Sequence, residues 1–447
     1  MVTLTEQLCA IVGDGHVSTD PDVLDARSVD WTGRYRGRAA ALVRPGDADQ
    51  VAAVLRTCRS ARAHVTVQGG RTSLVAGTVP EHADVLLSTE RLRELGEVDV
   101  SERQVRAGAG VTLAEVQRAA QQAGLLFGVD LSARDSATVG GMAATNAGGL
   151  RTVRFGSMVD QILGLQVALP DGSLMRRQSR VRSDNTGYDL VSLFVGAEGT
   201  LGVITELDLR LHPTPRHRVT AVCGFNDLAA LVSASRAFRD MATIAALELI
   251  DGRAAALAVT HLHLPAPVSG DWLLLVELAG DTDQTGLLAE GLSGACGEPV
   301  VGVDAATRQR LWRSRESMAE VVGLFGAPLK FDVALPLSQI AVFADDADAL
   351  LAASAPDSIG LLFGHVGEGN LHLNVVRCDS GAESRVYPAM MDLIAAHGGN
   401  VSSEHGVGSR KRAYLPMSRE PEDIAVMRAI KAALDPEGLL NPAVLFD

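Results

Sequence analysis

Two short apolar runs joined by a glycine-rich turn constrain the fold of the second half of this chain. Residues 359–363 and 371–376 each have the length and composition of a β-strand. Glu368 and Gly369 between them predict a two-residue hairpin turn, which makes the strands antiparallel neighbours. The sequence therefore predicts an antiparallel sheet in this part of the molecule.

The predicted hairpin carries His365 and His372. A two-residue turn sets them opposite each other, with their Cβ atoms about 4.5–5.5 Å apart on one face. Asn374 points to the same side, because side chains alternate along a strand. Glu404 follows in a Ser-Ser-Glu-His segment. Two imidazoles and a carboxylate leave coordination positions open for a catalytic divalent metal, so we predict that His365, His372 and Glu404 are its ligands. The alternative is that they are ordinary core or surface side chains.

The size and charge of the chain exclude some classes of protein. At 447 residues it is too long for one core, so two or three domains are expected. A hydrophobic content of 47% with 21% charged residues is typical of a folded protein. The net charge of −14 leaves no basic surplus to neutralise phosphates, which argues against a nucleic-acid partner.

The cysteines and the N-terminus bear on the cellular compartment. Five scattered cysteines without a Cys-x-x-Cys pair argue against a disulfide framework, a zinc ribbon and an iron–sulfur module. The chain begins without a basic segment followed by an apolar one, so no secretory signal is predicted. No apolar run approaches roughly 18 residues, so no membrane span is predicted. We therefore expect a cytoplasmic protein.

Strand and helix patterns alternate between about residues 40 and 212. Residues 49–58 carry apolar side chains at helical spacing, and Thr112 precedes Glu115 by three residues, as in a capping box. Residues 202–212 alternate as a half-buried strand does before two prolines interrupt the pattern. These features predict three segments: a first domain at residues 1–212, a second domain at 213–403, and a C-terminal segment at 404–447.

Three stretches of the first segment are rich in glycine and small side chains, namely 68–74, 130–149 and 196–202. Consecutive glycines let backbone N–H groups converge on phosphate oxygens, and small side chains let the backbone approach a flat ligand. A Rossmann motif is not the explanation, because residues 108–113 lack its third glycine. A Walker A motif is excluded as well, because the first lysine is Lys330.

These stretches, together with residues 364–374 and 404–412, resemble the vanillyl-alcohol oxidase / p-cresol methylhydroxylase family of flavoproteins. Within it the chain resembles the FAD-linked D-2-hydroxyacid dehydrogenase branch, and most of all the D-2-hydroxyglutarate dehydrogenases. The resemblance implies an α+β protein. It would have a two-subdomain FAD-binding domain, an α+β substrate (cap) domain with an antiparallel sheet, and a C-terminal segment that packs back near the flavin.

The resemblance also assigns residues to the cofactor. Residues 69–74 would hold the pyrophosphate, and the later segments would line the ribose, adenine and isoalloxazine. The first loop has no histidine for covalent attachment, so non-covalent FAD is expected. The residues assigned to FAD are Gly69, Gly70, Arg71, Thr72, Ser73, Leu74, Asp130, Ser132, Thr138, Gly140, Gly141, Asn146, Gly148, Gly149, Glu198, Gly199, Gly202, Ile204 and Asn441.

Four further residues are assigned to substrate and catalysis. Arg315 and Lys330 lie in segments that resemble those holding a substrate carboxylate, Asn374 would add a hydrogen bond, and His405 would be both a substrate contact and the general base. The alternatives are a surface ion pair for Arg315 with Glu316 or Glu320, an edge-strand charge for Lys330, and a structural role for His405.

The implied reaction is the oxidation of a D-2-hydroxyacid, here D-2-hydroxyglutarate, to 2-oxoglutarate by hydride transfer to N5 of FAD. A divalent metal, zinc or alternatively manganese, would orient the hydroxyacid. Ala319 stands where this branch often has a threonine. The missing hydroxyl leaves D-lactate, D-malate and glycolate open as substrates.

Two alternatives come from other functional classes. They are a non-catalytic flavin-binding subunit of a larger oxidase and a flavin-dependent synthase without net redox change. The resemblance leaves the electron acceptor open between electron-transferring flavoprotein and a quinone. It also suggests a homodimer.

Overall fold

The computed structural model describes residues 2–178, 184–379 and 381–446. The chain forms two compact units. The first comprises Met1–Gly148, Gly156–Thr214 and Glu404–Asp447, and the second comprises Gly149–Phe155 and Pro215–Ser403. The C-terminal segment therefore belongs to the same unit as the N-terminal half of the chain.

Helices and strands are interspersed along the whole chain. The helices are α1 (Leu4–Val12), α2 (Pro21–Arg27), α3 (Ala48–Ser60), α4 (Leu113–Gln122), α5 (Val139–Ala144), α6 (Thr152–Phe155), α7 (Met158–Gln161), α8 (Leu190–Phe194), α9 (Leu228–Arg239), α10 (Gly252–Leu262), α11 (Thr285–Leu292), α12 (Ala305–Glu316), α13 (Met318–Gly323), α14 (Ile340–Ser354), α15 (Ala382–Ala396) and α16 (Pro421–Leu434). The strands are β1 (Val17–Ser18), β2 (Ala39–Val43), β3 (Val65–Gln68), β4 (Asp84–Ser88), β5 (Gln104–Gly108), β6 (Leu125–Phe127), β7 (Ile162–Ala168), β8 (Leu174–Arg177), β9 (Val203–Pro213), β10 (His217–Phe225), β11 (Ile244–Asp251), β12 (Trp272–Gly280), β13 (Val300–Gly302), β14 (Leu329–Ala334), β15 (Ile359–His365) and β16 (Asn370–Val376). Short 3₁₀ turns lie at Asp14–His16, Leu337–Gln339 and Arg412–Met417.

The first unit contains a small sheet with the strand order β1-β2-β4-β3. Its β2–β4 and β3–β4 pairs are parallel, and β1 pairs with β2 antiparallel. Helix α3 begins at the cap Asp47, whose side chain accepts from the N–H of Gln50. The face predicted from the apolar spacing is buried, which confirms this helix: Val51, Val54, Leu55 and Cys58.

A second sheet of the first unit has the order β5-β9-β7-β8, with β6 also paired to β9. All of these pairs are antiparallel. Strand β9 buries its odd-numbered positions from Val203 to Leu211, as the alternation predicted. The capping box of Thr112 and Glu115 at the start of α4 is also confirmed.

A half-buried lysine connects the C-terminal segment to the rest of the first unit. The ammonium of Lys431 donates to the carbonyl oxygens of Thr200 at 2.7 Å and Leu440 at 3.0 Å. Leu440 forms a parallel bridge with Val65 of β3. The last residues thus extend the small sheet and close the unit.

The second unit is built on one antiparallel sheet with the order β13-β10-β12-β11-β15-β16-β14. Strand β12 is buried from Leu273 to Ala279. Buried side chains of α10, α12 and α13 pack with those of the central strands into one apolar core. This core covers part of the sheet face that carries the candidate site. No helix within the described residues is long and apolar enough to cross a membrane.

Candidate active site

The β15–β16 hairpin differs from the prediction in its turn. His365 lies opposite Asn370, and Phe363 lies opposite His372, so the predicted pairing of His365 with His372 is wrong. A two-residue type I′ turn needs a positive φ at both central positions. Gly369 adopts one at +73°, whereas Glu368 is absent from the positive-φ residues of the described chain. The strands are therefore joined by the four residues 366–369.

The two histidines nevertheless share a face of the sheet. The observed register differs from the predicted one by two residues, and a shift of two keeps every side chain on its original side. The ring centroids of His365 and His372 are 5.5 Å apart, with their planes at 88°. The prediction that His365 and His372 share one face of the hairpin is therefore confirmed, whereas their binding of a metal stays a prediction.

Glu248 of β11 contacts His365 from the neighbouring strand. Leu249 pairs with Gly364, which places Glu248 beside His365. The Nδ1 of His365 lies 2.6 Å from Oε1 of Glu248, which is fully buried. Burial alone would raise the pKa of this carboxyl, but the charges of His365 and Arg315 outweigh it and hold the pKa below its usual value. An ionised Glu248 accepts a hydrogen bond from the Nδ1–H of a neutral His365, and in that tautomer Nε2 carries no hydrogen.

Arg315 is buried on the same side and shares this carboxylate. Its Nε donates to Oε2 of Glu248 at 2.7 Å. The alternative role for Arg315 was a surface ion pair with Glu316 or Glu320. Glu320 pairs with Arg313 instead. The terminal amino groups of Arg315 make no further hydrogen bond within the described chain. They remain able to bind a carboxylate in the forked geometry that arginine favours.

Lys330 and Asn374 lie opposite each other on β14 and β16. Opposed residues share a face, so both are on the side that carries His372. Burial lowers the pKa of Lys330. The side-chain amide of Asn374 donates to the backbone carbonyl of His372 at 3.3 Å. The second unit thus brings two cationic side chains and two histidines to one sheet face.

Asp332 lies opposite His372 and was missed by the sequence analysis. One of its oxygens accepts from the N–H of Ser403 at 2.9 Å and from the hydroxyl of Ser402 at 3.3 Å. Its other oxygen is 3.8 Å from Nδ1 of His372. Like Glu248, it is a buried acid within a largely apolar strand, and a buried carboxylate requires partners. An acidic residue within a largely apolar strand was the sequence feature that could have identified both residues.

Glu404 and His405 follow Ser403 directly in the chain and begin the last segment of the first unit. Within that unit, Nε2 of His405 is 3.6 Å from Oε1 of Glu404. Imidazoles and carboxylates of this kind, together with Asp332 and His372, are the donors that Zn²⁺ and Mn²⁺ take. The donor chemistry of the residues present therefore fits a divalent metal.

The loop at residues 69–74 in the first unit fits a phosphate group. Its residues are half-buried, and Arg71 adopts a φ of +56°. Across the described chain, no protein acceptor receives a hydrogen bond from the backbone N–H groups of this loop. Half-buried N–H groups require an acceptor, and consecutive ones form a concave site for phosphate oxygens. The loop therefore fits the pyrophosphate of FAD.

Several glycines assigned to the cofactor also permit close contact between protein segments. A Cβ on Gly70 would lie 1.9 Å from the carbonyl oxygen of Ser136, and one on Gly69 would lie 2.6 Å from Oγ1 of Thr138. A Cβ on Gly140 would lie 2.5 Å from that of Ala109. The first two glycine-rich stretches thus pack so closely that side chains at Gly69 and Gly70 would not fit.

Glu198 and Asn441 join further predicted cofactor segments within the first unit. The carboxylate of Glu198 accepts from the N–H groups of Val407 and Gly408, each at 2.8 Å. The amide of Asn441 accepts from the N–H of Val67 at 2.8 Å and donates to the carbonyl of Glu198 at 2.6 Å. Glu198 and Asn441 both have positive φ, a conformation that clusters at ligand sites.

Other polar side chains assigned to FAD bond to the protein itself. Thr138 caps α5, Asn146 accepts from the N–H of Val159 at 2.9 Å, and Asp130 accepts from Gln117 at 3.1 Å. These bonds shape the backbone of the segments, and direct contact of these residues with FAD stays a prediction. The remaining assigned residues lie in the same unit or at its edge: Thr72, Ser73 and Leu74 in the first loop, Ser132 before α5, Gly141 in α5, Gly148 and Gly149 after it, Gly199 and Gly202 before β9, and Ile204 in β9.

Comparison with known proteins agrees with these features. Residues 214–445 match the family model described as FAD linked oxidases, C-terminal domain, and residues 39–177 match the model described as FAD binding domain. The mitochondrial D-2-hydroxyglutarate dehydrogenase of Bos taurus is 37% identical over 441 residues, covering 96% of this chain and 80% of that protein. The D-2-hydroxyglutarate dehydrogenase of Stutzerimonas stutzeri (strain A1501) is 32% identical, covering 99% of this chain and 98% of that protein.

Solved structures with low sequence identity show the same fold. A p-cresol methylhydroxylase with substrate bound aligns with a TM-score of 0.80 at 16% identity, covering 99% of this chain and 96% of that chain. An alkyldihydroxyacetonephosphate synthase aligns with a TM-score of 0.78 at 15% identity, covering 98% and 84%.

The fold and the phosphate-fitting loop define a flavin-dependent oxidoreductase of the vanillyl-alcohol oxidase type. The chain belongs to the family of FAD-linked oxidases and is an FAD-dependent dehydrogenase. The resemblance and the α+β fold class predicted from the sequence are therefore confirmed.

Proposed function

We propose that this dehydrogenase oxidises D-2-hydroxyglutarate to 2-oxoglutarate. The observation that carries the proposal is the placement of Arg315 and Lys330 on the sheet face of His365 and His372. Two cations beside two metal-binding side chains suit a substrate with a carboxylate at each end. The names of the relatives from Bos taurus and Stutzerimonas stutzeri support this choice.

The distal carboxylate of the substrate is bound by Arg315 and Lys330. Arg315 offers two parallel N–H donors, and Lys330 adds a compact positive charge. Asn374, opposite Lys330, donates a hydrogen bond to the same ligand. A monocarboxylate such as D-lactate cannot use these contacts, and so it should be a poorer substrate.

A divalent metal, zinc or manganese, would be held by His365, His372 and Glu404, and Asp332 would offer a further carboxylate. When bound, the metal supplies a Lewis acid for the hydroxyl and the carboxylate next to it. Glu248 supports this set, since a metal-binding histidine commonly donates its other N–H to a carboxylate.

His405 accepts the hydroxyl proton, for which a neutral imidazole near neutral pH is well suited. FAD, held without a covalent bond, supplies the acceptor for the hydride from C2. His405→Ala should abolish turnover while flavin and metal remain bound, and exposed His217→Ala should leave turnover unchanged. Normal turnover in His405→Ala would remove this residue from the mechanism.

Anaerobic bleaching of the flavin absorbance tests the substrate. D-2-hydroxyglutarate should bleach the flavin rapidly, whereas L-2-hydroxyglutarate and D-lactate should act slowly or not at all. D-malate is an informative alternative substrate. Ala319 lacks the hydroxyl of the threonine that this branch of the family often has, and the sequence therefore leaves D-malate open. Faster bleaching by D-lactate than by either dicarboxylate would overturn the role given to Arg315 and Lys330.

The electron acceptor is proposed to be an electron-transferring flavoprotein or a quinone, and the protein is proposed to act as a homodimer. Reoxidation of the bleached flavin by each acceptor, followed by absorbance, separates the two acceptors.

A further inference from the structure

Glu248 is the residue that links the two halves of the proposed substrate site. It lies in the middle of β11 and is fully buried. One carboxylate oxygen is 2.6 Å from Nδ1 of His365, and the other accepts from Nε of Arg315 at 2.7 Å. Strand pairing fixes it beside His365, while Arg315 reaches it from α12.

Both contacts constrain how the partner faces its ligand. A proton held on Nδ1 leaves Nε2 of His365 as the metal-binding nitrogen and fixes the plane of the ring. The bond to Nε fixes the plane of the guanidinium and leaves the two terminal amino groups of Arg315 for the substrate. Because both bonds end on one carboxylate, His365 and Arg315 cannot reorient independently.

We propose that Glu248 is a positioning residue that sets the spacing between the metal-binding nitrogen of His365 and the carboxylate-binding group of Arg315, and thereby selects the chain length of the dicarboxylate. The inference rests on the proposed function, because it requires both a metal and a substrate with a distal carboxylate. It assigns no direct contact with the substrate to Glu248.

The test is Glu248→Gln in the full-length holoenzyme. An amide offers one acceptor and one donor, so it cannot accept from both His365 and Arg315. We expect the affinity of the resting enzyme for Zn²⁺, measured by competition with a chromophoric chelator, to fall by about 10–100-fold. The KM for D-2-hydroxyglutarate should rise more than the KM for D-lactate, because only the dicarboxylate uses Arg315.

Glu277→Gln is the matched control. Glu277 is also a buried acid of the central sheet, and it accepts from Thr220 at 3.0 Å and from Nε1 of Trp312 at 2.7 Å. Trp312 belongs to α12, the helix of Arg315. The control therefore perturbs the same helix without touching His365. Its Zn²⁺ affinity and its KM ratio, the KM for D-2-hydroxyglutarate divided by the KM for D-lactate, should match those of the wild type.

A second variant guards against a failure to fold. Glu248→Asp keeps two acceptor oxygens on a shorter side chain, so it should recover part of the Zn²⁺ affinity that Glu248→Gln loses. Flavin content and thermal unfolding report whether each variant is folded. A folded Glu248→Asp that binds Zn²⁺ more weakly than Glu248→Gln would overturn the positioning role.

The outcomes separate this inference from the proposed function. A wild-type enzyme that binds no metal and oxidises no dicarboxylate removes the proposed function and the inference with it. A wild-type enzyme that does both, with a Glu248→Gln variant equal to it in Zn²⁺ affinity and KM ratio, overturns the inference alone. A fall in Zn²⁺ affinity with an unchanged KM ratio overturns the link to Arg315.

Discussion

At the scale of residues, Glu198 shows how a buried acid can hold a functional segment. Its carboxylate accepts from the N–H groups of Val407 and Gly408, which follow the proposed base His405 by two and three residues. Burial raises the pKa of Glu198, and the N–H bonds together with the charge of Lys411 oppose the rise without cancelling it. The folded protein therefore binds the proton of Glu198 more tightly than the unfolded chain does.

This raised pKa predicts a pH dependence for Glu198→Gln. Between the unfolded and folded pKa values the native state carries the extra proton, so the contribution of Glu198 to stability falls as pH rises. Each unit of raised pKa is worth about 1.4 kcal/mol. Urea unfolding of both proteins from acidic to neutral pH should show the free energy of the wild type declining relative to the variant. A free energy of unfolding of the wild type that rises with pH relative to that of the variant would contradict the assignment.

At the scale of elements, the contact between the first two glycine-rich stretches is the feature most sensitive to substitution. Gly70→Ala would place a methyl group 1.9 Å from the backbone oxygen of Ser136, which cannot move away as a flexible side chain could. We expect a loss of about 1–3 kcal/mol in stability, typical of overpacking, and weaker FAD binding. Flavin release during thermal unfolding measures both effects.

Gly15→Ala is the control for that substitution, since a Cβ there would meet no atom within 4 Å. Equal loss of flavin affinity in the two variants would show that the effect of Gly70→Ala does not come from the contact with Ser136.

The hairpin of β15 and β16 shows which features of a structural element could be predicted from the sequence. The period of two placed His365, His372 and Asn374 on one face, and that placement survived although the turn was wrong. Glu248 and Asp332 were missed because periodicity gives the face of a residue and not the strand beside it. The pairing of β11 with β15 and of β14 with β16 joins segments distant in sequence, so no local pattern encodes it.

At the scale of the whole molecule, the chain divides its chemistry between two units. Apart from Gly149, the residues assigned to FAD lie in the first unit, and His365, His372, Arg315 and Lys330 lie in the second. The remaining proposed metal ligand, Glu404, belongs to the first unit. Each unit has its own sheet system and its own apolar core. Binding of the flavin and binding of the metal are therefore expected to be separable.

Removal of the metal tests this separation. Dialysis against a chelator should abolish bleaching by D-2-hydroxyglutarate while the flavin absorbance stays with the protein, because residues 69–74 include none of the proposed metal ligands. Addition of Zn²⁺ or Mn²⁺ after removal of the chelator should restore bleaching, and Mg²⁺ serves as the control because it is bound less well by imidazole. If the flavin of a protein shown to be metal-free is still bleached at the original rate, the metal has no role in the proposed reaction. Loss of the flavin together with the metal would instead mean that flavin binding and metal binding stabilise each other, which would contradict their expected separability.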